Sequence, residues 1–142
     1  MKDQPIPDSD HVARHCKTST VEGDEIMATA FMLREGEEAL SVNWLEELKC
    51  SDRASEVREL QDLYARKMTR VGAGARIAIL NVETLQTEVE NESPDRRLLR
   101  VLHEPELDDP SHAGIYGIPY DDREIVAELI ARVVLEIHPA RA

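Results

Sequence analysis

Two polar clusters, far apart in the sequence, hold the residue types of acid–base chemistry on a phosphate ester. One is Arg14, His15 and Lys17; the other is Asp109, Ser111 and His112, within Asp108-Asp109-Pro110-Ser111-His112. Two histidines beside a cation can act as general base and general acid while the cation stabilises developing negative charge. That set suits a small phosphodiesterase, a transferase or a ribonuclease. Ser111 does not read as a nucleophile, because adjacent side chains diverge and no Gly-x-Ser-x-Gly elbow surrounds it. The bland reading is the preferred one for the second cluster: Asp109-Pro110-Ser111 is an ordinary turn whose side chains bond nearby amides.

A second constellation is His11-x-x-x-His15-Cys16. A spacing of four puts both imidazoles on one face of a helix or a strand. Zinc would need a third ligand from His103, His112 or Cys16. The Glu of the zinc-protease helix motif is missing and no Cys-x-x-Cys pair occurs, so the pair reads as structural and neither metal nor cofactor is expected. In Ser41-Val42-Asn43-Trp44 the tryptophan falls on the apolar face and reads as core, while Ser41 and Asn43 share the polar face. Together with His11 they are candidate binding residues, or simply the wet side of an edge strand. Gly72-Ala73-Gly74 is not a nucleotide loop: it precedes a strand, whereas phosphate loops follow one and open a helix.

The strings HVARHC, LSVNWLEEL and DPSHAGIYG resemble those of a family of small uncharacterised bacterial proteins. The resemblance implies that these three segments belong together around one pocket. It implies no activity.

The secondary structure around these residues follows from the rest of the 142-residue chain, a length that suits one domain. Residues 1–10 hold two prolines and three aspartates and read as a mobile tail, leaving 11–142 as the domain. His11–Cys16 reads as a short strand or a helical turn, followed by a turn at Glu22-Gly23-Asp24. Met27–Leu33 and Ala39–Trp44 have strand character and are joined by the Gly36-containing connection, as in a hairpin. Ser51 and Asp52 open a helix to about Met68, with Ala54, Val57, Leu60, Leu63, Tyr64 and Met68 on one side. The apolar run Arg76–Val82 reads as a strand covered on both faces. A short helix over Glu83–Val89 and a strand at Leu98–Leu102 follow. After the proline- and glycine-bearing loop Glu104–Ile118, an Asp121–Glu124 capping pair opens a final helix through Ile137, stopped at His138-Pro139. The expected fold is α+β, with a mixed or antiparallel sheet of four to five strands packed by two main helices.

The formal net charge is -12, from 29 Asp plus Glu against 17 Lys plus Arg. Phosphate backbones require a positive surface, so direct nucleic-acid binding is not expected. The charge permits a basic protein partner. No apolar run approaches a membrane span. With no secretory signal at Met1–Pro5 and two cysteines that make no disulfide framework, the expected compartment is the cytoplasm. Two functions of different class remain. The first is a non-catalytic, acidic partner-binding or regulatory protein of a bacterial operon, which the charge and the lack of a complete catalytic motif favour narrowly. The second is a small enzyme using histidine acid–base chemistry on a phosphate- or ribose-containing substrate.

Overall fold

In the computed structural model the described residues are 2–142. The chain forms β1 (Gln4–Pro5), β2 (His11–Cys16), β3 (Val21–Glu22), β4 (Glu25–Ile26) and β5 (Ala39–Trp44). It continues through α1 (Arg53–Lys67), β6 (Arg76–Asn81), α2 (Val82–Glu92), β7 (Arg100–His103), β8 (His112–Tyr116), α3 (Arg123–Arg132) and β9 (Glu136–Pro139). Seven strands make one sheet in the order β1-β7-β8-β5-β2-β6-β9, antiparallel throughout, and β3 and β4 form a separate two-stranded hairpin. This is a single-domain α+β fold with three helices, so the expected class holds while the sheet is larger by two or three strands and the helices more by one.

Side-chain alternation along the strands sends apolar groups to both faces, and each face acquires its own core. Val12, Leu40, Val42, Leu80, Val101 and Ile115 pack with Val89 of α2 and Val126 and Ile130 of α3. On the other face Ala13, Ile77 and Ile79 meet Val57, Leu60, Leu63 and Tyr64 of α1. Ile77, Ile79 and Leu60 are fully buried, and each such side chain contributes about 1.5–3 kcal/mol by leaving water. The run read as a strand covered on both faces is β6: Ile77 to Leu80 have no exposed surface.

Local signals set the helix ends. Asp52 caps α1 by accepting from Ser55 N at 2.8 Å, and Asn81 caps α2 by accepting from Thr84 N at 3.0 Å. Arg66 and Lys67 fall in the last turn of α1, where cations oppose the helix dipole.

Several expectations are corrected. The final helix stops at Arg132, and Glu136–Pro139 is a strand. Val133–Ile137 fits a helical stripe, but its branched residues fit a strand as well, and the unpaired edge of β6 takes it: Leu135 N donates to Ile79 O at 2.8 Å. The Asp121–Glu124 capping pair does not form. Tyr120–Asp122 is a 3-10 turn, and the Arg123 guanidinium lies 4.0 Å over the Tyr120 ring. Met27–Leu33 is no strand; Ala28–Phe31 is a 3-10 turn that seats Phe31, fully buried, against α3. The segment read as a tail supplies the edge strand β1, buries Ile6, and accepts the Trp44 indole N–H on Asp10 at 2.9 Å.

Among the described residues no helix is long and apolar enough to cross a membrane.

Candidate functional site

The α1 face of the sheet is covered where α1 lies over β2 and β6. Beyond the C-terminal end of α1 the same face, on β5 and β8, carries polar side chains. The register aligns Ala13, Asn43 and His112 across β2, β5 and β8, so that all three point to this face. A cavity of about 340 Å³ lies here. Its wall is built from Arg14 and His15 of β2, Ser41 and Asn43 of β5, and Tyr64, Lys67 and Met68 at the end of α1. Glu106, Asp109 and His112 close it from the loop before β8, and Arg34 and Glu37 from the turn before β5. The three segments singled out in the sequence thus meet on one concavity.

Arg14 sits where two strands part. β2 and β5 pair at only two positions, Val12↔Trp44 and Ala13↔Asn43, whereas β2 pairs with β6 along its whole length. The Arg14 side chain bridges the missing rungs. Its Nε donates to Ala30 O at 2.9 Å and its Nη1 to Ser41 O at 2.8 Å. Burial pulls its pKa down, the direction expected of a guanidinium removed from water. Both partners are neutral carbonyls, and among the described residues no carboxylate forms an ion pair with it.

The acidic groups of the wall are, by contrast, engaged. Asp109, only 1% exposed, accepts from Asn43 Nδ2, from Ser111 Oγ at 3.1 Å and from Lys67 Nζ at 2.9 Å. Glu106 accepts from Lys67 Nζ at 3.2 Å, and Glu37 from Arg34 N at 2.8 Å. Burial works against the Lys67 ammonium, but its hydrogen bonds to Asp109 and Glu106 prevail and raise its pKa.

The two histidines differ. His112 Nδ1 lies 3.1 Å from the Glu104 carbonyl oxygen, an acceptor, so Nδ1 carries the proton and Nε2 presents a lone pair. The Glu104 and Glu106 carboxylates stand 4.0 and 3.9 Å from the same nitrogen. Glu104 is held across the sheet by the Tyr116 hydroxyl, over Gly114, where a Cβ would meet Glu104 Oε1 at 2.6 Å. His15 packs edge-on against Tyr64, ring centroids 5.0 Å apart, and its Nε2 is buried without a hydrogen-bond partner among the described residues. Burial, and secondarily Arg14, lowers its pKa, so His15 is a neutral imidazole. A neutral His15 has no imidazolium proton to give at neutral pH.

The other sequence candidates lie elsewhere. Lys17 is exposed and does not line the cavity; the cations from outside β2 are Arg34 and Lys67. Ser111 is 3% exposed and bound to Asn43 and Asp109, so it braces the wall from behind. His11 is bound to Glu46, with Nδ1 2.8 Å from Oε2 and the backbone N–H donating to Oε1 at 2.8 Å. His103 stacks edge-on with Trp44 on the opposite face, and burial pushes the Cys16 thiol up to about 11. The histidines thus disperse, and among the described residues no three His, Cys, Asp or Glu side chains are grouped to hold a metal ion. In the sequence Tyr64 reads only as part of the buried side of α1 and Lys67 carries no signal of a site, although their spacing of three puts them on one helix face.

Comparison of the chain with protein-family models, with curated proteins and with solved structures gives no match in any of the three.

Proposed function

We propose that the cavity binds a small phosphate-containing substrate and carries out acid–base chemistry on it, with His112 as the base and Arg14 stabilising the anionic group. The observation that carries this reading is Arg14. A partly buried cation is ordinarily matched by a carboxylate, since removing it from water unpaired is costly. Arg14 hydrogen-bonds two carbonyls instead; Asp109 and Glu106 in the same wall are paired with Lys67, and Glu37, which accepts from Arg34 N, acts on Arg14 only through space. A phosphate oxygen is the missing counter-charge, and a guanidinium is suited to it. The reading leaves His15 as a wall residue and drops Lys17.

The partner-binding reading draws on the net charge of -12. Its acidic runs are partly engaged within the chain: Glu37 caps the Arg34 turn, and Glu88 pairs with Arg132 at 3.3 Å. That leaves it the weaker of the two.

The test is calorimetric titration of the full chain with inorganic phosphate and simple phosphate esters, with turnover followed on bis(p-nitrophenyl) phosphate. Binding that is weakened at least tenfold by Arg14→Met supports the reading. Absence of phosphate binding at millimolar concentration, or binding indifferent to Arg14→Met, sinks it.

A further inference from the structure

The end of the cavity formed by His15 and Tyr64 differs in kind from the rest of its wall. Tyr64 is 3% exposed, and its hydroxyl is buried with no hydrogen-bond partner among the described residues; His15 Nε2 is buried and equally without one. Buried polar atoms are nearly always satisfied, so two orphans on touching rings, both belonging to one cavity wall, mark a place where a partner is wanted.

We infer that this end of the cavity receives an uncharged hydroxyl of the substrate, so that the ligand is a small phosphorylated sugar or polyol. The inference rests on the phosphate reading above and adds the second pole of the ligand. Burial keeps the Tyr64 phenol protonated and the His15 imidazole neutral. The pair therefore offers an O–H donor and an imidazole nitrogen, with no net charge between them. An alcohol hydroxyl answers both, because it accepts from Tyr64 and donates to His15 in a single contact. A second anionic group would gain nothing from a neutral, water-poor wall.

The cations of the lining are Arg14, Arg34 and Lys67, and Arg14, next to His15 in β2, acts on both His15 and Tyr64. A ligand that fits has an anionic end among these cations and hydroxyls at the other. The volume, about 340 Å³, is near the lower end for small-molecule sites. Apart from the two imidazoles, Tyr64 is the aromatic group of the lining, and its ring is taken up by His15. Among the described residues that leaves no ring larger than the His112 imidazole in the lining to stack a nucleobase, the usual way a base is held. A ribose- or polyol-sized phosphate is preferred over a nucleotide. Both orphan atoms are covered, so admitting the hydroxyl requires a side chain to swing. Met68, one helical turn after Tyr64 in the same wall, is the unbranched, adaptable one.

The experiment is isothermal titration of the full chain with inorganic phosphate and with ribose 5-phosphate, for the natural sequence, Tyr64→Phe and His15→Gln. Ribose 5-phosphate is expected to bind at least tenfold more tightly than phosphate. Tyr64→Phe should reduce that preference to threefold or less, with phosphate affinity unchanged within twofold. Its melting temperature should stay level or rise, because an unpaired buried hydroxyl has been removed. Equal binding of the two ligands by the natural sequence overturns the inference and leaves the phosphate reading standing. So does a preference that survives both Tyr64→Phe and His15→Gln. Failure of either ligand to bind overturns the phosphate reading, and the inference with it.

Discussion

Asn43 and Asp109, 66 residues apart in the chain, are joined side chain to side chain: Asn43 Nδ2 lies 2.9 and 3.2 Å from the two carboxylate oxygens. The contact fastens the loop before β8 to the face of β5 and sets Asp109 where Lys67 reaches it from α1. Three elements that no short-range rule connects are thereby held around one buried negative charge.

That charge should be costly to remove. Asp109→Asn replaces an acceptor-only group by one whose amide meets donors from Asn43, Ser111 and Lys67. A loss of about 3 kcal/mol is expected, as for a buried pair stripped of one partner. Urea denaturation measures it; a change below about 1 kcal/mol, the size of an ordinary surface effect, would mean that the network is incidental.

His112→Gln should leave phosphate-ester binding within a few-fold of the natural sequence and lower turnover by about 100-fold or more, the usual contribution of a positioned base. Steady-state rates on bis(p-nitrophenyl) phosphate separate the two effects. Turnover that persists in this variant assigns the proton transfer to another group.

Gly114→Ala tests the support beneath His112. The added methyl meets Glu104 Oε1 at 2.6 Å and the Tyr116 ring at 3.0 Å, so the Glu104 side chain must leave its place over the sheet. A cost of about 1–2 kcal/mol is expected from overpacking. A drop in turnover exceeding that of Glu104→Gln should accompany it. Unaltered stability and rate would show that Glu104 moves freely.

His15 makes stability depend on pH with a definite sign. Its folded pKa lies below the ordinary 6.5, chiefly through burial. Between the folded and the unfolded pKa the unfolded chain binds more protons, so stability rises with pH there. The contribution is complete above about pH 6.5 and is lost as pH falls through the folded value. Melting curves between pH 5 and 7.5 should show the natural sequence losing stability on acidification more steeply than His15→Gln. Parallel curves would refute the assignment of a buried neutral imidazole.

Features that depend on neighbours along the chain are legible in the sequence. The stripe Val57, Leu60, Leu63 and Tyr64, opened by Asp52, specifies α1 and its buried side, because helical period and capping are local properties. The apolar run of β6 announces a strand covered on both faces, and Leu40, Val42 and Trp44 announce the inner face of β5. Residues 133–137 mark the boundary of this legibility. They satisfy both periods, and the free edge of β6, a feature of the assembled sheet, decides between them.

Which polar groups share a cavity is set by strand order and packing. The order β8-β5-β2 sets His112, Asn43 and the His15 strand side by side, and strand order is absent from any window of sequence. Tyr64 and Lys67 read as parts of a helix, and they become parts of a site because α1 ends over the gap between β2 and β5. Lys17, next to the right residues in sequence, is excluded because the chain has left the sheet after Cys16. Proximity along the chain fixes periodicity and caps, while proximity in space is set by which apolar faces the whole chain can bury at once.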